Sequence, residues 1–168
     1  MSAPAPALSL QEQARAAEQK FEADAHAVVA GKKPLAEFLR LTVADAPQLS
    51  GFAATLLGED DLEGAAAAAE VATIADPRWF DAWLILGAAR ARQALEEKAL
   101  EAYARAAALK PNDVRVWTDV GELKLILLDY AGAAKALKLA LQADPQGETP
   151  AGRRAQYLIA KTFAKVSQ

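Results

Sequence analysis

The chain has no cysteine and a single histidine, His26, among its 168 residues. Without cysteine it forms no disulfide, carries no thiolate nucleophile and offers no sulfur ligand, and one imidazole cannot build a multi-histidine metal site. Strand-favouring residues are scarce, with 8 Val, 4 Ile and 6 Thr, which argues against a sheet. Basic charge is not in excess either: 19 Lys and Arg face 22 Asp and Glu, for a net charge of -3. That balance lacks the positive footprint of a nucleic-acid binder. No stretch approaches the roughly eighteen apolar residues that a membrane span needs. The opening MSAPAPALSL has no basic residue ahead of an apolar core, so it does not read as a secretory signal, and the expected setting is cytoplasmic. The four serines, Ser2, Ser9, Ser50 and Ser167, lie outside any G-x-S-x-G elbow, and no glycine-rich phosphate loop occurs. The expectation is a binding protein with no cofactor, no metal and no catalytic group of its own.

What the chain has in abundance is alanine, 43 residues of 168, almost half of its hydrophobic total. A core built from alanine must close by bringing helix backbones together, since few large side chains are available to fill space. The expected class is therefore all-α. Pro77, Pro111 and Pro145 each follow a helical stretch and stand 34 residues apart. Trp83, Leu86, Gly87, Ala99, Tyr103 and Ala106 precede Pro111 at the offsets at which Trp117, Val120, Gly121, Ala133, Leu137 and Ala140 precede Pro145. One register upstream, Leu49, Phe52, Ala53, Ala65, Ala69 and Ala72 precede Pro77, with Leu49 and Ala53 in place of Trp and Gly.

This pattern resembles the tetratricopeptide repeat (TPR), a helix-turn-helix unit of 34 residues with a W-x2-L-G-x2-Y, A-x3-F, P signature. It predicts a helical solenoid of three repeats, at 46–79, 80–113 and 114–147. Gly87 is expected to face Ala99, and Gly121 to face Ala133, so that paired helices touch closely. Each proline ends one unit, because its ring clashes with the preceding turn and it has no N–H to donate. Residues 1–8, Ala- and Pro-rich, read as a disordered tail. Residues 9–45 read as a helical arm, its first helix capped by Ser9 with Glu12 three residues on, and ended by Gly31-Lys32-Lys33-Pro34. Residues 148–168 read as a closing helix that covers the apolar side of the last repeat, with Ala155, Leu158 and Ile159 inward and Arg153, Arg154, Lys161 and Lys165 outward.

The resemblance also implies where a partner binds. In TPR proteins the first helix of each pair lines a concave groove, through positions 2, 5, 9, 12 and 13 of the repeat. Carried onto this chain, the groove comprises Ser50, Ala54 and Leu57 from the first repeat. The second gives Asp81, Leu84, Ala88, Ala91 and Arg92, and the third gives Arg115, Thr118, Glu122, Leu125 and Ile126. Small floor residues leave room for a partner's side chains, with Leu57, Leu84 and Leu125 as apolar contacts, which suits a peptide with hydrophobic anchors. The protein's own N-terminal helix is the alternative occupant. Ser50, Ala54 and Ala88 supply no cation for a carboxylate, so an acidic peptide tail is not the expected ligand.

Other features have plainer readings. The run Glu59-Asp60-Asp61-Leu62-Glu63 lacks the alternating ligands of a calcium loop and reads as a solvated turn with acids at a helix start. His26 reads as a surface or interface residue. Trp83 and Trp117 occupy the repeat's structural position, whereas Trp79 lies off it.

The layout as a whole resembles a narrower family, the type III secretion chaperones of translocator subunits. Leu86-Gly87-Ala88-Ala89-Arg90 is similar to that family's L-G-A-C-R stretch, Glu63 and Ala65 match its Y-E-D-A turn, and Gly121-Glu122 stands where it often has A-E. The chain departs from it at Gln93-Ala94-Leu95-Glu96, where a glycine turn is usual. It departs from the generic repeat at Arg90 and Lys124, which replace an aromatic. The resemblance implies a protein that holds a segment of a secretion substrate in its groove and keeps it soluble until export, with the N-terminal arm mediating homodimerisation. Two other readings stay open: a scaffold or adaptor in an envelope, motility or regulatory complex, and an accessory domain whose partner supplies an enzymatic activity.

Overall fold

The computed structural model describes residues 9–166, and side chains as far as 162. The tail expected over residues 1–8 lies outside the described residues. Among the described residues every regular element is a helix, and no helix is long and apolar enough to cross a membrane.

The chain divides into two compact units, Met1–Thr42 and Val43–Gln168. The first holds α1 (Leu10–Val29) and a four-residue α2 (Leu35–Phe38). Helix α1 begins on a complete capping box. Ser9 Oγ accepts from the Glu12 amide at 3.3 Å, and the Ser9 amide donates to the Glu12 carboxylate at 2.9 Å. It ends where Gly31 enters the left-handed region at φ 68. Phe21 and Phe38 pack ring against ring at 5.2 Å, and Lys33 bridges to Asp24 at 3.0 Å, which together fold α2 back on α1.

The second unit is three helix pairs and a closing helix. They are α3 (Asp45–Gly58) with α4 (Leu62–Ala75), α5 (Phe80–Arg92) with α6 (Glu96–Leu109), and α7 (Val114–Ile126) with α8 (Tyr130–Ala143). Helix α9 (Pro150–Val166) packs on α7 and α8. The 34-residue period also governs the backbone. Asp60, Ala94 and Leu128, one in each turn between paired helices, all adopt positive φ, at 66, 56 and 60. Each turn closes with a hydrogen bond reaching back five residues, such as Leu95 N–H to the Arg90 carbonyl at 2.9 Å, a Schellman-type stop.

The repeat positions have visible causes. Trp83 Nε1 donates to the Pro77 carbonyl at 2.8 Å, and Trp117 Nε1 to that of Pro111 at 2.6 Å, so each tryptophan pins its helix to the preceding turn. The glycines serve a different partner from the one expected. A Cβ on Gly87 would stand 2.5 Å from the Tyr103 ring, and one on Gly121 would stand 2.6 Å from Leu137. The bulky residue of the second helix, and not Ala99 or Ala133, needs the missing side chain. The sequence pattern puts both on the inner face; only the atoms show which is larger at the point of approach.

At the far end, the buried Asp144 accepts from the Glu148 and Thr149 amides and from the Thr149 hydroxyl. Those bonds set the angle at which α9 starts, and the Thr149 hydroxyl above all holds the Asp144 carboxyl below its ordinary range. Ala155 is fully buried against Leu137 and Ala140, with Leu158 and Ile159 beside it.

Candidate functional site

Helices α5, α6, α7 and α9 leave a cavity of about 380 Å³ between them. Small residues of α5, Ala88 and Ala91, form one wall, and Leu123 and Ile126 of α7 form the other. Tyr103 of α6 reaches its floor through the gap that Gly87 leaves open. Charged groups ring it: Arg92, Asp119 and Glu122, with Arg154 from α9. A second cavity, about 250 Å³, lies where the end of α7 and the start of α8 meet α9, lined chiefly by Leu125, Leu128, Tyr130 and Leu158. The two share Glu122 and Ile126.

The rim charges are largely matched. Arg92 donates to the Asp60 carboxylate and to the Leu57 carbonyl, each at 2.6 Å. Arg115 donates to Asp81 at 3.0 Å and to both oxygens of Asp113, and its guanidinium lies over the Phe80 ring. Arg154 pairs with Glu122 and approaches Asp119 at 3.7 Å. Arg92–Asp60 and Arg115–Asp81 join one repeat to the next, and Arg154 joins the closing helix to the third; these partly exposed pairs are worth orientation more than stability. Asp119 differs. Its side chain is only 24% exposed, and burial pushes its carboxyl up to about 6, with Arg154 pulling the other way. Burial also raises the Tyr103 hydroxyl, reinforced by the nearby Asp119 charge.

The thirteen residues expected to line the groove fall into three groups. Ala88, Ala91, Arg92, Glu122 and Ile126 line the larger cavity, and Leu125 joins Glu122 and Ile126 in the smaller one. Ala54, Leu57, Asp81 and Arg115 lie on α3, α5 and α7 outside both, the last two bonded to each other.

The third group is not on an open surface. Ser50, Leu84 and Thr118 are buried, at 3%, 8% and 1% exposure. Leu84 belongs to the main core, among Phe80, Tyr103, Val116 and Val120. Thr118 donates to the Val114 and Ala151 carbonyls, fastening α7 to α9. Both helices are flanked on two sides, α5 by α3 and α7, and α7 by α5 and α9. A position that opens on a groove in an isolated pair is therefore covered in the array. Ser50 Oγ is buried with no hydrogen-bond partner.

Position counting also missed part of the cavity. Tyr103 sits on a second helix, Asp119 at a position that the groove pattern skips, and Arg154 on the closing helix, where it was expected to point outward. The acidic turn Glu59–Glu63 serves as a helix start, Asp61 accepting from the Gly64 amide at 2.9 Å. Trp79 has a buried Nε1 without a partner, unlike Trp83 and Trp117.

No protein-family model and no curated protein matches the sequence. Solved structures do match the fold. The type III secretion translocator chaperone SycD of Yersinia enterocolitica aligns at a TM-score of 0.70 with 19% identity, over 74% of this chain and 96% of its own. PcrH in complex with the chaperone-binding region of PopD aligns at 0.62 with 24% identity, over 76% and 92%. The Sgt2 TPR domain of Aspergillus fumigatus aligns at 0.67 with 19% identity, over 76% and 82%. The fold is thus an all-helical TPR solenoid, of the kind seen in type III secretion translocator chaperones and in other TPR domains.

Proposed function

We propose that this is a non-catalytic TPR protein that binds a peptide segment of a partner in its groove. The more specific reading is a type III secretion chaperone, cytoplasmic, that keeps a translocator subunit soluble before export. The observation that carries the peptide reading is the larger cavity, with alanine on one wall, leucine and isoleucine on the other, and ion-paired charges at the rim. Small walls admit side chains from outside, apolar lining rewards their burial, and pre-paired rim charges need little reordering when a chain is laid across them. SycD, one of the proteins of like fold, has been crystallised with a peptide of the translocator YopD, which supports carrying the idea over. The N-terminal arm leaves Leu10, Phe21 and Val29 exposed, at 85%, 63% and 88%, which supports a role for it in pairing two copies.

The test is to follow the half-life and solubility of co-purifying proteins in cells with and without the chain. A chaperone is expected to be required for the accumulation of one amphipathic partner. A scaffold or adaptor would leave its partner's solubility unchanged on deletion, and that result would favour the second reading. Ala91→Arg, which fills the cavity from a half-buried site, is expected to abolish partner capture with the helical circular dichroism intact. Capture undiminished in that variant would remove the groove from the account.

A further inference from the structure

Asp119 and Tyr103 stand out from the rest of the groove. Every other acid facing the cavity has a hydrogen-bonded cation, Glu122 with Arg154. Asp119, three-quarters buried, has only the 3.7 Å approach of that same Arg154, and makes no hydrogen bond among the described residues. The Tyr103 hydroxyl beside it likewise makes none, although Tyr103 is 2% exposed and lines the cavity. Both groups line the cavity, where an entering cation would meet a partly desolvated carboxylate and a phenol with no partner among the described residues. The local charge favours such a cation. Arg92 is balanced by Asp60, Arg154 by Glu122, and the more distant Arg115 by Asp81 and Asp113, so Asp119 leaves a negative charge over. The walls leading to it are the apolar Ala88 and Ala91.

Building on the peptide reading, we infer that the larger cavity is a pocket for a basic side chain of the bound segment. Its aliphatic stem lies along Ala88 and Ala91, and its cationic head donates to the Asp119 carboxylate and the Tyr103 hydroxyl. A long side chain with an apolar stem and a charged tip matches both halves of that lining. Alanine walls alone would accept any small apolar anchor; the unpaired carboxylate is what makes the choice.

The experiment is selection of random twelve-residue peptides displayed on phage, against the full chain and against Asp119→Asn, an isosteric change that removes the charge. Peptides selected on the wild type are expected to carry Lys or Arg at one fixed spacing from an apolar residue, and those selected on Asp119→Asn are expected to lose that preference but keep the apolar residue. For one selected peptide, replacing its basic residue by Met is expected to weaken binding to the wild type by about ten- to a hundredfold, the usual worth of a hydrogen bond to a charged group. The same replacement should change binding to Asp119→Asn far less. Tyr103→Phe, which keeps the ring that Gly87 accommodates, is expected to weaken the basic peptide and spare its Met counterpart. Selected peptides without a basic residue, or a basic preference unchanged in Asp119→Asn, would overturn the pocket and leave the peptide groove standing. Failure to select any peptide that Ala91→Arg rejects would overturn both.

Discussion

The two junctions between repeats are built from different materials. Between the first and second, the buried cluster is Ala53, Ala65, Ala66, Ala69, Ala89 and Ala102, with Leu86 as its one large buried member. Between the second and third it holds Phe80, Leu84, Tyr103, Val116, Val120 and Leu123. The first closes by backbone approach and gains mainly dispersion across a tight contact; the second closes by bulk and gains from the apolar area removed from water. One fold therefore contains a junction intolerant of added atoms and a junction intolerant of lost ones. The candidate pocket lies at the second, between the small Ala88 and Ala91 of α5 and the larger Leu123 and Ile126 of α7.

Truncation is the sharpest way to test this contrast. Leu123 is 2% exposed and shared by the core and the pocket. Leu123→Ala is expected to cost about 2–5 kcal/mol, as for other buried leucines, read from urea denaturation. A loss below 1 kcal/mol would mean that the second junction is no more dependent on bulk than the first.

Both junctions bury a charged side chain, but Arg90 at the first is paired with Glu70, whereas Asp119 at the second has no hydrogen-bonded cation among the described residues. The folded Asp119 carboxyl titrates near 6 against an ordinary 3.8, so the native state holds its proton more tightly than the unfolded chain does. Stability is therefore lost as pH rises from about 4 to about 6, and the penalty is complete at neutral pH. Asp119→Asn is expected to stabilise the fold by up to about 3 kcal/mol at pH 7.5, at 1.36 kcal/mol for each pKa unit, with the gain vanishing below pH 4. A gain independent of pH would show that the charge is not the cause.

Enlargement tests the first junction. Ala69 is fully buried in the alanine cluster. Ala69→Leu is expected to cost about 1–3 kcal/mol through overpacking, with thermal unfolding as the measurement. Tolerance of leucine there would mean that the alanines reflect helix propensity and not close contact.

The parts of this architecture that repeat were legible in the residues, and the parts that break the repeat were not. Pro77, Pro111 and Pro145 fixed the period, and the Trp, Gly and Ala positions fixed the helix pairs, because each does the same mechanical work in every unit. The Ser9–Glu12 box marked the start of α1 for the same reason: its geometry is local. The groove was legible only in part, since a repeat pattern describes one unit and a pocket is made by several. Leu84 and Thr118 were assigned to an open face because counting positions cannot see a helix flanked on both sides. Tyr103 and Arg154 enter the pocket from a second helix and from the closing helix, neither of which the pattern counts. Asp119 is ordinary in sequence; only its burial beside an arginine already claimed by Glu122 sets it apart.

The smallest expected effect compares the three turns with one another. Asp60, Ala94 and Leu128 occupy the same left-handed position, at φ 66, 56 and 60. Left-handed backbone costs an L-residue about 1–2 kcal/mol, and Asp, whose short side chain bonds locally, bears it more readily than Ala or Leu. The second turn has the weakest support. Asp61 and Asp129 cap the helices that follow the first and third turns, accepting from Gly64 and Gly132, whereas Leu95 offers no side-chain bond to α6. Ala94→Gly relieves the strain but adds about 0.4–1 kcal/mol of unfolded-chain entropy to be lost on folding. The net gain expected is under about 1 kcal/mol, smaller still for Asp60→Gly, which also removes the acceptor of Arg92, measured as a shift in the urea midpoint with unchanged slope. A larger gain at Asp60 than at Ala94 would mean that the pair with Arg92 gives the first turn no advantage over the second.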